Sequence, residues 1–151
     1  MVAEAVSAET LQQCAHLKDL TRDALVKLAA IAEGWTIAKD SVLFPDMDPA
    51  GRLFLLRKGE ISLCCELGTA ELRVIDTVTE GELFAWSALV EPYRYTSTAI
   101  AASDCQLIAF DAAQLREMCE KDVDLGYQVL NKIVTLLSNR LESVRVRLAA
   151  S

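Results

Sequence analysis

The residues of this chain whose types and spacing bear on chemistry gather in Thr79-Glu-Gly-Glu-Leu-Phe-Ala-Trp-Ser-Ala-Leu89 and, just after it, Tyr93-Arg-Tyr-Thr-Ser-Thr-Ala99. Together they offer the Ser87 and Thr96 hydroxyls, the Arg94 guanidinium and the Ala85 to Ser87 amides, beside two large rings, Trp86 and Tyr95. This is equipment for holding a ligand: hydroxyls and amides donate to polar atoms, an arginine pairs with an anion, and rings stack on a plane. Bond-making chemistry has little to draw on. There is one histidine, His16, and the acids are dispersed, so no Ser/His/Asp set, carboxylate pair at working spacing or metal cluster can be drawn, and no enzyme is expected. His16 lies beside Leu17 in the first helical segment and reads as a surface or capping residue.

The five cysteines, Cys14, Cys64, Cys65, Cys105 and Cys119, are odd in number, lack Cys-x-x-Cys spacing and sit in apolar segments, as reduced, buried thiols do. Adjacent Cys64 and Cys65 point to opposite faces of a strand, which argues against a metal site. A length of 151 residues with 52% hydrophobic content suits one domain spanning 1–151 around one core. No apolar run reaches the roughly 18 residues of a membrane span, and the N-terminus lacks a basic start followed by an apolar segment, so a cytoplasmic protein without a membrane partner is expected. The net charge of -7 and pI of about 4.7 repel phosphate backbones and anionic membranes, so an anionic ligand has to be held by locally placed amides or an arginine.

The elements that position these residues follow from periodicity and punctuation. Residues 1–34 read as N-terminal helices: Thr21 caps a helix with Asp23 in its first turn, Leu25, Leu28, Ala29 and Ala32 recur at helical spacing, and Gly34 is placed to end it. Residues 35–110 read as seven short strands: Trp35 to Ala38, Ser41 to Phe44, Arg52 to Leu56, Glu60 to Cys65, Glu71 to Val78, Thr96 to Ala101 and Cys105 to Phe110. Turn residues such as Lys58-Gly59, Leu67-Gly68 and Ser103-Asp104 separate them, which gives a small antiparallel β-barrel or jelly roll. Alternation in Glu60-Ile-Ser-Leu-Cys and Glu71-Leu-Arg-Val-Ile-Asp predicts a core face and a wet face for each strand.

Residues 111–151 read as helices, a short one capped by Asp111 from Ala112 to Glu120 and a long one opened by Asp122 or Asp124. In the long helix Val123, Tyr127, Leu130, Val134, Leu137, Leu141, Val144 and Leu148 step alternately by four and three, a heptad seam. A second row, Val129, Ile133 and Leu136, stops before Ser138. The broad apolar first half packs on the chain's own strands, while the narrow stripe continuing among Arg140, Arg145 and Arg147 predicts a two-helix seam with a second copy of the chain or another protein.

Helices, a roll of short strands, a short helix and a long dimer-type helix resemble the sensor domain of the CRP/FNR regulators and cyclic-nucleotide-binding domains generally. Leu17 to Ala32 is similar to the family's opening helical motif, Ser41 to Leu63 to its second and third strands with the turn at Gly59, Gly81-Glu-Leu-Phe to its Gly-Asp-x-Phe, and Leu137-Ser-Asn-Arg-Leu141 to the Arg-Leu end of its long helix. The resemblance implies a mainly β fold with flanking helices, a jelly roll of double-stranded β-helix type. It also implies a phosphate-binding cassette in which backbone amides and a short helix hold a cyclic phosphate, a glutamate accepts from the ribose 2′-OH and an arginine about nine residues on pairs with the phosphate.

Aligning Gly81-Glu82 with that motif places Ala85 at the usual glycine, Trp86 at the glutamate, Tyr95 at the arginine and Thr96 at the Ser/Thr. A hydroxyl left unpaired against an indole costs roughly 1–3 kcal/mol, and loss of a charge-assisted arginine contact costs as much or more. Tight cAMP or cGMP binding is therefore not expected, and no cofactor is assigned. A second frame makes Gly81-Glu82 the ribose pair and Arg94 the phosphate ligand. The pocket candidates are Leu83, Phe84, Ala85, Trp86, Ser87, Arg94, Tyr95 and Thr96, with the rings either filling the space or forming a stacking wall for a planar ligand. Val144-Arg145 falls where relatives read the purine with a Thr-Ser pair, which argues against adenine recognition. The helix-turn-helix of family regulators does not follow the long helix before Ser151, so direct DNA binding is not expected. These features read as a non-catalytic, dimeric sensor or regulatory domain. The alternative is an effector-binding domain that takes a cyclic nucleotide in an unusual pose or another small anionic or planar ligand.

Overall fold

A computed structural model describes residues 2–66, 68 and 71–151. Strand β1 (Val2–Ala5) and helices α1 (Ala8–Gln12) and α2 (Arg22–Ala30) precede strands β2 (Ala32–Ile37), β3 (Val42–Phe44), β4 (Arg52–Lys58), β5 (Ile61–Glu66), β6 (Leu72–Val78) and β7 (Leu83–Phe84). A 3₁₀ turn (Trp86–Leu89), β8 (Thr98–Ala101), β9 (Cys105–Asp111), α3 (Ala112–Lys121) and α4 (Val123–Ala150) complete the chain. The strands form two antiparallel sheets, ordered β1-β2-β9-β4-β7 and β3-β8-β5-β6, in a jelly-roll arrangement of facing sheets without closure into a barrel.

The larger sheet is covered on both sides, and its central strands show why. In β4, Leu53 and Leu55 join a cluster with Leu25, Leu28, Leu115 and Leu125 of the helices, while Phe54 and Leu56 join one with Ile61, Val78 and Ala99 of the other sheet. Successive strand residues face opposite ways, so a run such as Leu-Phe-Leu-Leu is what a doubly buried strand requires. Strand β9 repeats the pattern, with Ile108 and Phe110 on the helical side and Leu107 and Ala109 between the sheets.

The local helix signals act as expected. The side chains of Thr21, Asp111 and Asp122 accept from the amides of Ala24, Gln114 and Leu125 at 3.3, 2.9 and 3.1 Å. In α4 the second row, Val129, Ile133 and Leu136, is buried in the helical cluster, whereas the seam faces solvent, with Leu130 56%, Leu141 53% and Leu148 69% exposed.

Several expectations are corrected. Gly34 does not end a helix: α2 stops at Ala30, and Gly34 lies inside β2, paired with Glu4 of β1 and Ile108 of β9. The N-terminal strand that extends the sheet comes from a segment assigned to helices. His16 sits in the turn between α1 and α2 instead of a helix. Leu67 of the Leu67-Gly68 turn lies outside the described residues. The alternation expected in β6 fails, because Leu72, Val74 and Ile75 are all exposed. Strand β8 pairs with β5 only from Ile61 to Cys64, so β5 and β6 continue past it, with the Cys65 Sγ 3.9 Å from the Thr96 carbonyl oxygen. Of the cysteines, all free, Cys64 and Cys105 are buried and Cys14, Cys65 and Cys119 half-buried.

Gly59 closes the β4–β5 turn at φ 102°, and a Cβ there would lie 2.5 Å from the Asp104 carbonyl oxygen and 2.7 Å from the Cys105 Sγ. Strain in the left-handed region and collision with backbone combine. Gly59→Ala is expected to lower stability by about 2 kcal/mol or more in denaturant unfolding, with the slope unchanged.

Candidate functional site

The segment between β6 and β8 is shaped by backbone contacts to β4. Gly81 N donates to the Leu56 carbonyl at 2.7 Å and Leu56 N to the Glu82 carbonyl at 3.0 Å, which delivers Leu83 and Phe84 into β7. The Glu82 carboxylate folds back on its own turn, accepting from Thr79 N at 2.8 Å and Thr79 Oγ1 at 2.7 Å. Ala85 then takes a left-handed conformation, φ 67° and ψ 40°, and starts the 3₁₀ turn. This is the position at which the family's glycine is expected, and the conformation is one glycine adopts without steric cost. Arg116 of α3 holds the turn's far end, its guanidinium donating to the Ala88 carbonyl at 2.5 Å and lying 4.0 Å from the Tyr93 ring centre.

Tyr95 is buried and stacked on Phe44, with ring centres 3.8 Å apart and planes 16° from parallel. Its hydroxyl donates to the Arg52 carbonyl at 3.2 Å and accepts from Arg52 N at 3.3 Å. Burial pushes the Tyr95 hydroxyl above its ordinary pKa, so it is a neutral donor at physiological pH. Trp86 packs against the helical cluster, and its Nε1 is buried without a hydrogen-bond partner among the described residues.

Between these rings remains a cavity of about 120 Å³, walled by Phe84, Ala85, Trp86 and Ser87 of the cassette, by Phe44, Tyr95 and Thr96, and by Asp76 and Arg140. The rings therefore line the space without filling it. Its volume approaches the roughly 150 Å³ of an apolar cavity that accepts a benzene ring. A cyclic nucleotide is far larger than that.

The structure brings together Phe84, Ala85, Trp86, Ser87, Tyr95 and Thr96 around this cavity and leaves out two other candidates. Leu83 faces the opposite way, into the helical cluster, as the residue next to Phe84 in a strand must. Arg94 is exposed and turned away from Tyr95, its Nη1 donating to the Met47 carbonyl at 2.8 Å. With Arg94 outside and Glu82 folded onto Thr79, the frame pairing Glu82 with Arg94 assembles no site.

Phe44, Leu63, Ser97 and two charged wall residues, Asp76 and Arg140, escaped the sequence reading of the pocket. Arg140 reaches in from α4 with its side chain 16% exposed, pairs with Asp76 of β6, and lies 3.2 Å from the Glu82 carboxylate and 5.5 Å from the Trp86 ring centre. A carboxylate and a guanidinium do converge here, but from outside the cassette and bound to each other. Arg147 lies 3.9 Å from the same Asp76. Beyond this cluster is a second, more polar cavity of about 280 Å³, lined among others by His16, Glu82, Asn139 and Arg147 and sharing Asp76 and Arg140. The one available signal was the position of Arg140 at the edge of the buried helix row. Among the described residues, no three His, Cys, Asp or Glu side chains group as metal ligands, and no helix is long and apolar enough to cross a membrane.

The family model of the cyclic nucleotide-binding domain matches residues 35–122, from β2 to the end of α3. A protein of Geobacter metallireducens described as cyclic nucleotide-binding is 30% identical, superposes with a TM-score of 0.80, and aligns over 90% of this chain and 98% of its own. The sensor domain of the transcriptional regulator DNR from Pseudomonas aeruginosa aligns over 87% of this chain and 89% of its own, at 21% identity and a TM-score of 0.69. The N-terminal domain of a transcriptional regulator from Streptomyces coelicolor aligns over 89% and 94%, at 20% identity and a TM-score of 0.68. Among curated protein sequences no match is found. The chain belongs to the cyclic nucleotide-binding domain family, and its fold is that of CRP/FNR-type sensor domains.

Removing the guanidinium of Arg140 leaves Asp76 and Glu82 without their shared counter-charge in a mostly covered site. Arg140→Gln is expected to cost about 1–3 kcal/mol, allowing for partial exposure. Adding Asp76→Asn should recover at least about 0.5 kcal/mol of that in a double-mutant cycle of denaturant unfolding.

Proposed function

We propose that this chain is a non-catalytic sensor or regulatory domain that has kept the cyclic-nucleotide-binding scaffold, lost its tight hold on cAMP and cGMP, and works as a dimer through α4 in the cytoplasm. The observation that carries the reading is the cavity: Trp86 and Tyr95 stand in its wall where a ribose-binding carboxylate and a phosphate-binding arginine are expected, and about 120 Å³ is left between them. Arg140 supplies a guanidinium, yet Asp76 and Glu82 already occupy it. Calorimetry with cAMP and with cGMP is expected to show dissociation constants weaker than about 100 μM, several orders of magnitude from two lost anchors at about 1.4 kcal/mol per tenfold. Micromolar binding would overturn the reading.

A second reading, in which a larger effector binds, draws on the two cavities of about 120 and 280 Å³ that meet at the Asp76–Arg140 wall. Swinging that one arm aside joins them into a space within the usual range for ligand pockets. Because Arg140 lies between Leu137 and Leu141 of the seam, such a movement would also bias the helix pairing, a population shift between two arrangements.

Support for the dimer comes from the division of α4 into a buried row and an exposed heptad row that continues to Leu148. In sedimentation equilibrium the chain is expected to be a dimer and Leu137→Glu with Leu141→Glu a folded monomer. A monomeric parent chain would leave the seam for a different protein.

A further inference from the structure

We infer that the cassette cavity is a site for a single planar ring that is uncharged and carries a carbonyl acceptor. This rests on the proposal above that the cavity no longer serves cyclic nucleotides, and it names the ligand class that the remaining space fits.

Three observations converge on that class. The first is size: as it stands, about 120 Å³ matches one six-membered ring with a small substituent and falls short of a nucleoside. The second is the lining. Phe44 and Tyr95 are stacked nearly parallel at 3.8 Å, and with Phe84 and Trp86 they surround the space with aromatic surface suited to the face or edge of another ring.

The third is the balance of donors and charge. Trp86 Nε1 and Arg140 Nε are both buried donors without an acceptor among the described residues, and both belong to side chains that touch this cavity and each other, the guanidinium lying 5.5 Å from the indole ring centre. Buried donors in native proteins are nearly always satisfied, so this pair marks the wall as short of acceptors. Neither nitrogen opens onto the cavity as it stands, so an acceptor that enters bonds the indole only once the ring turns toward it. An anion, however, meets Asp76 in the same wall and Glu82 just behind it, and Arg140 is already shared between those two carboxylates. A carbonyl supplies the missing acceptor without that repulsion. A carboxylate does not.

The test uses three probes of one shape, benzamide, benzoate and toluene, titrated into the full-length protein while Trp86 fluorescence is followed in a Trp35→Phe background, with binding confirmed by ligand-observed NMR. Benzamide is expected to bind in the millimolar range or tighter, with benzoate and toluene each at least about tenfold weaker. Trp86→Phe, which keeps a ring and deletes the donor, should weaken benzamide about tenfold in the NMR experiment and leave toluene unchanged. Ala85→Leu, which places bulk in the cavity, should abolish all binding, and its unfolding curve establishes that it is folded. Benzoate binding more tightly than benzamide would overturn the assignment of an uncharged ligand, and equal binding of toluene would overturn the role of the acceptor. Should none of the three bind while cAMP and cGMP also fail to bind, this inference falls and the proposed function stands. Micromolar cAMP binding would instead remove the proposed function and this inference with it.

Discussion

Everything in this molecule is arranged around two adjacent strands, β4 and β9, that must be covered on both faces. Neither layer alone can do it. The helices bury Leu53, Leu55, Ile108 and Phe110, and the four-stranded sheet buries Phe54, Leu56, Leu107 and Ala109, so the chain has two apolar clusters with one sheet between them. The candidate cavity sits at the edge of the inner cluster, where β7 leaves the side of β4 after two residues and the chain turns through Ala85. Binding capacity in this fold is thus a place where inter-sheet packing stops short.

Helix α4 connects that cavity to the outside. One face packs Val129, Ile133 and Leu136 on the helical cluster, another presents Leu130, Val134, Leu137 and Leu141 to solvent, and Arg140 between them crosses to Asp76 and Glu82. A single residue therefore touches the cavity wall, the smaller sheet and the margin of the exposed seam. Charges held this way contribute little net stability, since desolvation offsets much of their attraction, while removal of one partner leaves the other covered and unpaired.

What could be read from the sequence was local or periodic. Caps at Thr21, Asp111 and Asp122 are decided within four residues, and the two rows of α4 by a period of 3.6, so both were legible. The family alignment put Ala85 at the usual glycine, but the left-handed turn there was not predicted and came only with the structure. What escaped was decided at a distance. Gly34 has the features of a helix end until β1 arrives from the N-terminus to pair with it. Arg94 and Tyr95 are neighbours of which one faces inward; the first alignment pointed to Tyr95 and the second to Arg94, and packing on Phe44 decides for Tyr95. Asp76 and Arg140 are 64 residues apart and meet only through the packing of α4 on β6.

The overhanging end of the β5–β6 hairpin has a further meaning. Strand β6 is the outermost strand of its sheet and shows Leu72, Val74 and Ile75 to water, with the backbone groups of its outer side facing away from any strand. Such a rim is a template on which another extended chain can add itself, and charged side chains are a usual guard against that. Here Arg73 alternates with the apolar residues and Asp76 is drawn inward by Arg140, so the guard is thin. With Asp76 committed to the Arg140 tie, the rim is left open to edge-to-edge sticking in concentrated solution while each molecule stays folded.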